Sequence, residues 1–326
     1  MATTLRVTTA EPTAEPTGHG HVVHADHTPA APGVTDLLLL LMALIWGVNY
    51  IVAKFGTQAF APLAFNAARI ALATAVLWSI VFARGDALPT RRDALALLGL
   101  GVLGNGIYQI FFVEGLARSR ASDTALVLAA SPAFMAIIGR MRGVERVSAR
   151  GVMGIVLSLG GIGLVVSGAR HAVAGDSTAL GYLLTVTACI CWALYTVLLK
   201  PYTERMSGIT LSAVTMTGGL APMLLVGAPA LVATRWGAVG PMAWAAIAYS
   251  GVLALVIAYF CWYRGVRVLG PTRASMYANL QPLFAMAVAW AVLGERPRAV
   301  QVAGAACIMT GLLLTRLQTA SPAVGE

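Results

Sequence analysis

Charge set into apolar sequence is the first chemistry this chain offers. "WGVNYIVAK" (Trp46–Lys54) ends a lipid-compatible run on a lysine, and "WALYTVLLK" (Trp192–Lys200) repeats the same step from Trp to Lys. Lys54 and Lys200 are the only lysines; every other basic side chain of this type is arginine. Arg69 and Glu114 also stand inside apolar stretches. An ionisable group at membrane depth is costly, tends to pair, and by default marks a pathway or gate. At ~1.5 Å per helical residue, Arg69 lies about 10 Å into its segment, in the outer part of the membrane with Glu114 and Lys54. The expectation is that Glu114 pairs with Arg69 or Lys54, as an outer gate or a proton-sensitive latch. The alternative for the lysines is snorkelling to the headgroups. Two prolines form a second feature. Pro132 follows Ser131, and Pro282 follows Gln281 with Asn279 nearby. Both are expected mid-helix, where proline kinks the helix and frees a carbonyl that protein or cavity water must satisfy.

These residues need elements to hold them, and the composition says which. Of 326 residues, 58% are hydrophobic and 11% charged, and the mean hydropathy is +0.79. A soluble domain carries roughly 25% charged residues, so lipid is the solvent for much of this chain. The net charge of +9 does not point to nucleic acid, because the arginines lie singly or in short groups between apolar runs. Ten runs are long enough to span a bilayer as helices: 36–55, 62–83, 93–115, 120–139, 149–168, 178–199, 209–232, 241–263, 271–293 and 298–316. They are apolar all round, which excludes the alternating strands of a membrane barrel. The break between the eighth and ninth is expected at Arg264 and Arg267. With both termini inside, the basic residues favour the cytoplasmic loops by about two to one. The tails, 1–35 and 317–326, are polar, and disorder is expected for the first, which carries His19, His21, His24 and His27. No metal site is read there, and no cleavable signal peptide. Cys189, Cys191, Cys261 and Cys307 read as small apolar side chains.

The chain also repeats. Shifted by 150 residues, Gly101–Leu103 meets Gly251–Leu253, Gly115 meets Gly265, "SPAF" (Ser131–Phe134) meets "QPLF" (Gln281–Phe284), Gly154 meets Gly304 and Gly161 meets Gly311. The first spans of the halves match at a shift of 146. The halves, 36–168 and 178–316, hold five spans each. Five is odd, so the second half enters from the opposite side. The expected fold is all-α, with ten transmembrane helices as two inverted five-helix repeats, an architecture of secondary carriers.

The segments "WGVNYIVAK", "PLAFNAAR" (Pro62–Arg69), "GLARSRASDTALVLAASPAF" (Gly115–Phe134) and "WAVLGERPRAVQVAGAACIMTGLLL" (Trp290–Leu314) resemble the EamA family of the drug/metabolite transporter superfamily. The resemblance covers about residues 36–316. It implies a ten-helix inner-membrane carrier, often an exporter of amino acids, other metabolites or drugs. It also implies a central cavity bordered by the first, third, fourth, sixth, eighth and ninth spans. One departure is "GRMRGVER" (Gly139–Arg146), where the second half keeps "VLGER" (Val292–Arg296).

On those spans the expected cavity residues are Trp46, Asn49, Tyr50, Tyr108, Gln109, Ser131, Trp192, Tyr195, Tyr259, Trp262, Tyr277, Asn279 and Gln281. Such side chains suit an amphipathic or aromatic solute through stacking and hydrogen bonds. An enzyme is not expected: no clustered carboxylates, metal set or nucleophile elbow occurs, and His171 stands alone in a loop. No cofactor is expected. The expected partners are a small-molecule substrate, the lipid bilayer and, with Glu114 as its acidic group, a proton. The rival reading is a non-transporting membrane receptor or scaffold that docks through Arg140–Arg150.

Overall fold

A computed structural model describes residues 32–142, 149–167, 178–294 and 296–317. Among these residues the secondary structure is helical throughout. The elements are α1 (Pro32–Ala59), α2 (Pro62–Arg84), α3 (Arg91–Ala117), α4 (Ala121–Ala129), α5 (Ser131–Met141), α6 (Ala149–Ser167), α7 (Ala179–Thr203), α8 (Gly208–Ala233), α9 (241–278), α10 (Gln281–Leu293) and α11 (Ala299–Leu317). The histidine-bearing tail, the second half of the Gly139–Arg146 departure, His171 and nearly all of the C-terminal tail lie outside the described residues.

Local sequence sets the ends of these helices. Thr90, Thr178 and Ser207 each accept a backbone N–H from the first turn that follows, at 3.2, 3.0 and 3.2 Å, which satisfies a donor the helix leaves open. Pro62 and Pro241 open their helices, where a missing N–H costs nothing. α2 stops at Gly85, whose φ of 64° closes the end in the left-handed region.

Among the described residues, seven stretches are long and apolar enough to cross a membrane: Gly33–Ala59, Pro62–Arg84, Arg91–Ala117, Ala121–Met141, Ala179–Thr203, Gly208–Ala233 and Pro241–Gly265. Three shorter apolar helices, Ala149–Val165, Gln281–Leu293 and Ala299–Gly311, fall where the remaining three spans are expected. Large apolar side chains such as Phe82, Leu225 and Val232 are exposed, as they must be where the surroundings are lipid.

Three expectations are corrected. α1 begins at Pro32, ahead of residue 36. The chain does not break at Arg264 and Arg267; it is helical through Ala278 and breaks at Asn279–Leu280. Arginine is a good helix former, so those charges are no signal of a helix end. The proline sites are not kinks inside continuous helices. The fourth span is interrupted at Ala130, and Pro132 and Pro282 each sit in the first turn of a new helix, α5 and α10. Proline is tolerated in that place because first-turn donors have no intrahelical acceptor.

Packing relies on small residues. A Cβ added at Gly161 would fall 2.7 Å from the Gly304 carbonyl, and one at Gly311 would fall 2.5 Å from the Gly154 carbonyl, so α6 and α11 touch backbone to backbone. In lipid no hydrophobic force drives helices together, and close approach supplies the attraction instead. α1 packs on α9 and α10, while α7 packs on α3 and α5. α2 lies against both α8 and α9.

Candidate functional site

The helices α1, α2, α3, α7 and α9 and the two helix breaks enclose a cavity of about 120 Å³. α1 contributes Trp46, Asn49 and Tyr50, which lie three and four residues apart and so share one helix face. α3 supplies Tyr108, Gln109 and Phe112, and α7 supplies Trp192. α9 supplies Tyr259 and Trp262, and α2 supplies Arg69. Ser131 and Pro132 at one break, and Asn279, Gln281 and Pro282 at the other, complete the wall.

Both long inner helices change winding at the cavity, α3 just before it and α9 where Ala254 and Leu255 line it. α3 has a π-helical stretch at Val102–Ile107 and α9 one at Tyr249–Ile257. Widened turns of this kind cluster at functional sites because they release carbonyls and re-aim side chains. Here the Ala254 carbonyl, within the second stretch, accepts the Trp46 indole N–H at 2.9 Å. Ser250, in the same stretch, donates to Asn49 Oδ1 at 2.8 Å. The π stretch of α9 therefore holds the α1 face that lines the cavity.

Aromatic rings make a continuous wall. Trp46 meets Tyr259 edge-on at 5.7 Å between centroids and Trp262 at 6.0 Å. Trp192 bridges Tyr108 at 5.2 Å and Tyr259 at 6.0 Å. Offset and edge-on pairs of this kind are attractive and hold each other's orientation. Ser131 donates to the Leu128 carbonyl at 2.6 Å, which satisfies one group freed by the break at Ala130.

Arg69 is 1% exposed. Its Nε donates to Asn66 Oδ1 and its Nη2 to Gln109 Oε1, both at 2.6 Å. Its guanidinium lies over the Phe65 and Phe112 rings, 5.6 and 5.5 Å from their centroids. The expected pair between Arg69 and Glu114 is not formed. Glu114 is bound by Arg118 on its own helix instead, because four residues of helix bring that pair together without crossing the bundle. Lys54 Nζ donates to the carbonyls of Leu116, Ala117 and Ser119, at 2.9, 3.0 and 2.7 Å. It satisfies carbonyls that the end of α3 leaves open. Lys200 is exposed. Of the four charged residues singled out, only Arg69 is on the cavity wall.

Two aromatic expectations also fall elsewhere. Tyr195 is buried off the wall, with its hydroxyl 3.4 Å from Thr215 Oγ1 and 3.3 Å from the Tyr263 hydroxyl. Tyr277 donates to Asp36 at 2.7 Å, tying α9 to the start of α1. The wall residues that were not anticipated include Phe112 and Met135. A second unforeseen feature is Asp123, buried at the start of α4, which accepts from the Tyr182 hydroxyl at 2.5 Å and from the Gln301 amide. Sequence alone reads Glu114 as the deep acid, but Asp123 is the buried one (1% exposed). Among the described residues no group of three or more histidine, cysteine or acidic side chains could hold a metal, and all four cysteines are free.

Residues 33–167 and 179–317 each match the EamA-like transporter family. The chain belongs to that family. An uncharacterized transporter of Archaeoglobus fulgidus is 30% identical, over 86% of this chain and 96% of its own. The uncharacterized transporter YyaM of Bacillus subtilis is 27% identical, over 85% and 92%. A protein of Streptantibioticus cattleyicolor named as a probable terminal-alkyne amino-acid exporter is 24% identical, over 86% and 93%. A solved crystal structure has the same fold, with a TM-score of 0.61 and 18% identity over 88% of this chain and 99% of that one. This EamA-family chain is thus a multi-pass membrane protein whose relatives are transporters, and transport rather than catalysis is what the family implies.

Proposed function

We propose that this protein is a secondary carrier that exports small metabolites, amino acids or drugs by alternating access between two inverted five-helix repeats. The carrying observation is the cavity wall: it includes two helix breaks of related sequence, Ser131-Pro132 and Gln281-Pro282, spaced 150 residues apart. Interrupted helices at a repeat interface suit a solute site, because irregular backbone at membrane depth is tolerated only where protein buries it or it lines a cavity, and both breaks here line one.

Paired contacts support the repeat. A Cβ at Gly101 would meet Thr215, and one at Gly251 would meet Arg69; the glycines differ by 150 residues and their partners by 146. Gly115 against Thr185 and Gly265 against Leu39 follow the same two shifts. Reciprocal contacts of this form are what a two-fold relation between the halves produces. Two similar halves can exchange conformations, and that exchange would open the cavity to alternate sides.

The arginine distribution favours both termini inside and, by family resemblance, an inner-membrane location. For proton coupling, buried Asp123 replaces Glu114 as the acidic group to examine. The test is solute flux in proteoliposomes across a panel of amino acids, other metabolites and drugs, with and without an imposed pH gradient. Saturable flux of at least one class is expected. Absence of flux across the whole panel overturns the carrier reading and favours a receptor that docks through Arg140–Arg150. Flux indifferent to the gradient removes the proton.

A further inference from the structure

We infer that Arg69 is the anchor for a single carboxylate on the transported solute, so that the cavity selects monoanionic or zwitterionic molecules with an aromatic or apolar body. The inference rests on the carrier reading above. A guanidinium keeps its charge when buried, and a buried charge is costly unless paired. Arg69 is fully buried, yet among the described residues its hydrogen-bond partners are only the amide oxygens of Asn66 and Gln109. Among the described residues no carboxylate lies within ion-pair distance of it. Its Nη1 donates to no described residue, and the side chain faces the cavity.

The two amides are themselves aimed. Asn66 Nδ2 donates to the Gln109 backbone carbonyl at 2.9 Å, which turns Asn66 Oδ1 toward Arg69 Nε. Phe65 and Phe112 hold the guanidinium plane from either side chain's ring face. Dipoles and rings orient the cation, but none of them neutralises it. What remains is a fixed positive group on a largely apolar and aromatic wall that carries no other described charge. Charge-assisted bonds from arginine to carboxylate are among the stronger polar contacts, and their geometry is specific. One cation balances one negative charge, so a monoanion fits better than a dianionic phosphate. The aromatic wall of Trp46, Tyr108, Trp192 and Tyr259 then takes the apolar body.

The test uses matched probes on the full chain in detergent and in proteoliposomes. Each set holds an acid, its carboxamide and its decarboxylated counterpart, for example phenylalanine, phenylalaninamide and phenethylamine, with aliphatic sets and aromatic acids lacking the amine alongside. Binding is read from tryptophan fluorescence and from competition with flux. The wild type is expected to prefer acids by about ten- to hundredfold over their carboxamides. Arg69→Gln is expected to bring that ratio close to one. Gln109→Glu leaves the arginine in place but supplies an internal carboxylate at Nη2, and it is expected to abolish the preference even if Arg69→Gln folds poorly. Equal binding of acid and carboxamide by the wild type overturns the inference and leaves the carrier reading standing. So does an unchanged ratio in Gln109→Glu. No binding or flux for any member of any set overturns both.

Discussion

Arg69 on α2 and Thr215 on α8 occupy matching places, 146 residues apart, and do different things. The backbone of each lies against a glycine, Gly251 for Arg69 and Gly101 for Thr215. The side chains then diverge. Arg69 sends a cation to the cavity wall, whereas Thr215 turns its hydroxyl back to the Leu211 carbonyl of its own helix at 2.9 Å. Backbone contact is conserved between the two places and side-chain chemistry is not. On the carrier reading proposed above, this is a division of labour: the paired halves would supply the motion while one half alone supplies recognition. A scaffold change should therefore damage the fold from either half, and a change of chemistry should be felt from only one.

The largest effect is expected at the tighter glycine contact. A Cβ at residue 101 would fall 2.1 Å from the Thr215 carbonyl, and one at residue 251 would fall 2.9 Å from the Arg69 carbonyl. Neither acceptor is a flexible side chain, so a helix must move. Gly101→Ala should cost about 1–3 kcal/mol or more, and Gly251→Ala less. Gly99→Ala meets nothing within 4 Å; it should be neutral, or stabilising by about 0.5–1 kcal/mol. Thermal unfolding in detergent, followed by size exclusion, ranks the three. A Gly101→Ala protein that melts with the wild type would mean that the scaffold contact is not what holds α3 to α8.

The two lysines sharpen the same contrast at smaller scale. They end matching segments, but Lys54 holds three carbonyls at the end of α3, while Lys200 is exposed at the end of α7. Lys54→Met removes the charged donor from all three, although the Leu116 carbonyl keeps the Ser119 N–H, and should cost about 1–3 kcal/mol. Lys200→Met should stay within about 0.5 kcal/mol. Equal shifts in melting temperature for the two would refute the assignment of Lys54 as the cap of α3.

Legibility in the sequence followed the same division. Features fixed by backbone and spacing could be read: an all-helical chain with seven of the ten expected spans, the repeated glycines, the Ser131-Pro132 and Gln281-Pro282 sites, and the face made by Trp46, Asn49 and Tyr50. Features fixed by a partner across the bundle could not. Arg69 was visible as an intramembrane charge, but charge alone sends the eye to Glu114, and the structure answers it with the amides of Asn66 and Gln109. Asp123 reads as the polar start of a helix, and only tertiary packing buries it under Tyr182 and Gln301. Phe112 and Met135 carry no periodic signal that separates a cavity wall from a packed core. The π stretches at Val102–Ile107 and Tyr249–Ile257 leave no mark in the hydrophobic pattern either.

The finest test compares Trp46 with Trp192, the matching tryptophans of the two halves. Both rings line the cavity and both touch Tyr259. Only Trp46 also holds backbone, donating to the Ala254 carbonyl inside the π stretch of α9; the indole N–H of Trp192 makes no hydrogen bond to a described residue. Phenylalanine in place of each keeps an aromatic face and deletes the donor. Trp46→Phe leaves a carbonyl within a widened turn without its partner, so it should lower stability by about 1 kcal/mol more than Trp192→Phe does. The Trp46 ring also packs against Tyr259 and Trp262, so Trp46→Phe should weaken solute binding beyond the loss of ring area. Trp192→Phe should weaken it by ring area alone. Melting curves and solute competition on the pair read the two effects separately. Identical losses would mean that Trp46 acts only as a ring, and that the π stretch is held by α9's own packing rather than by α1.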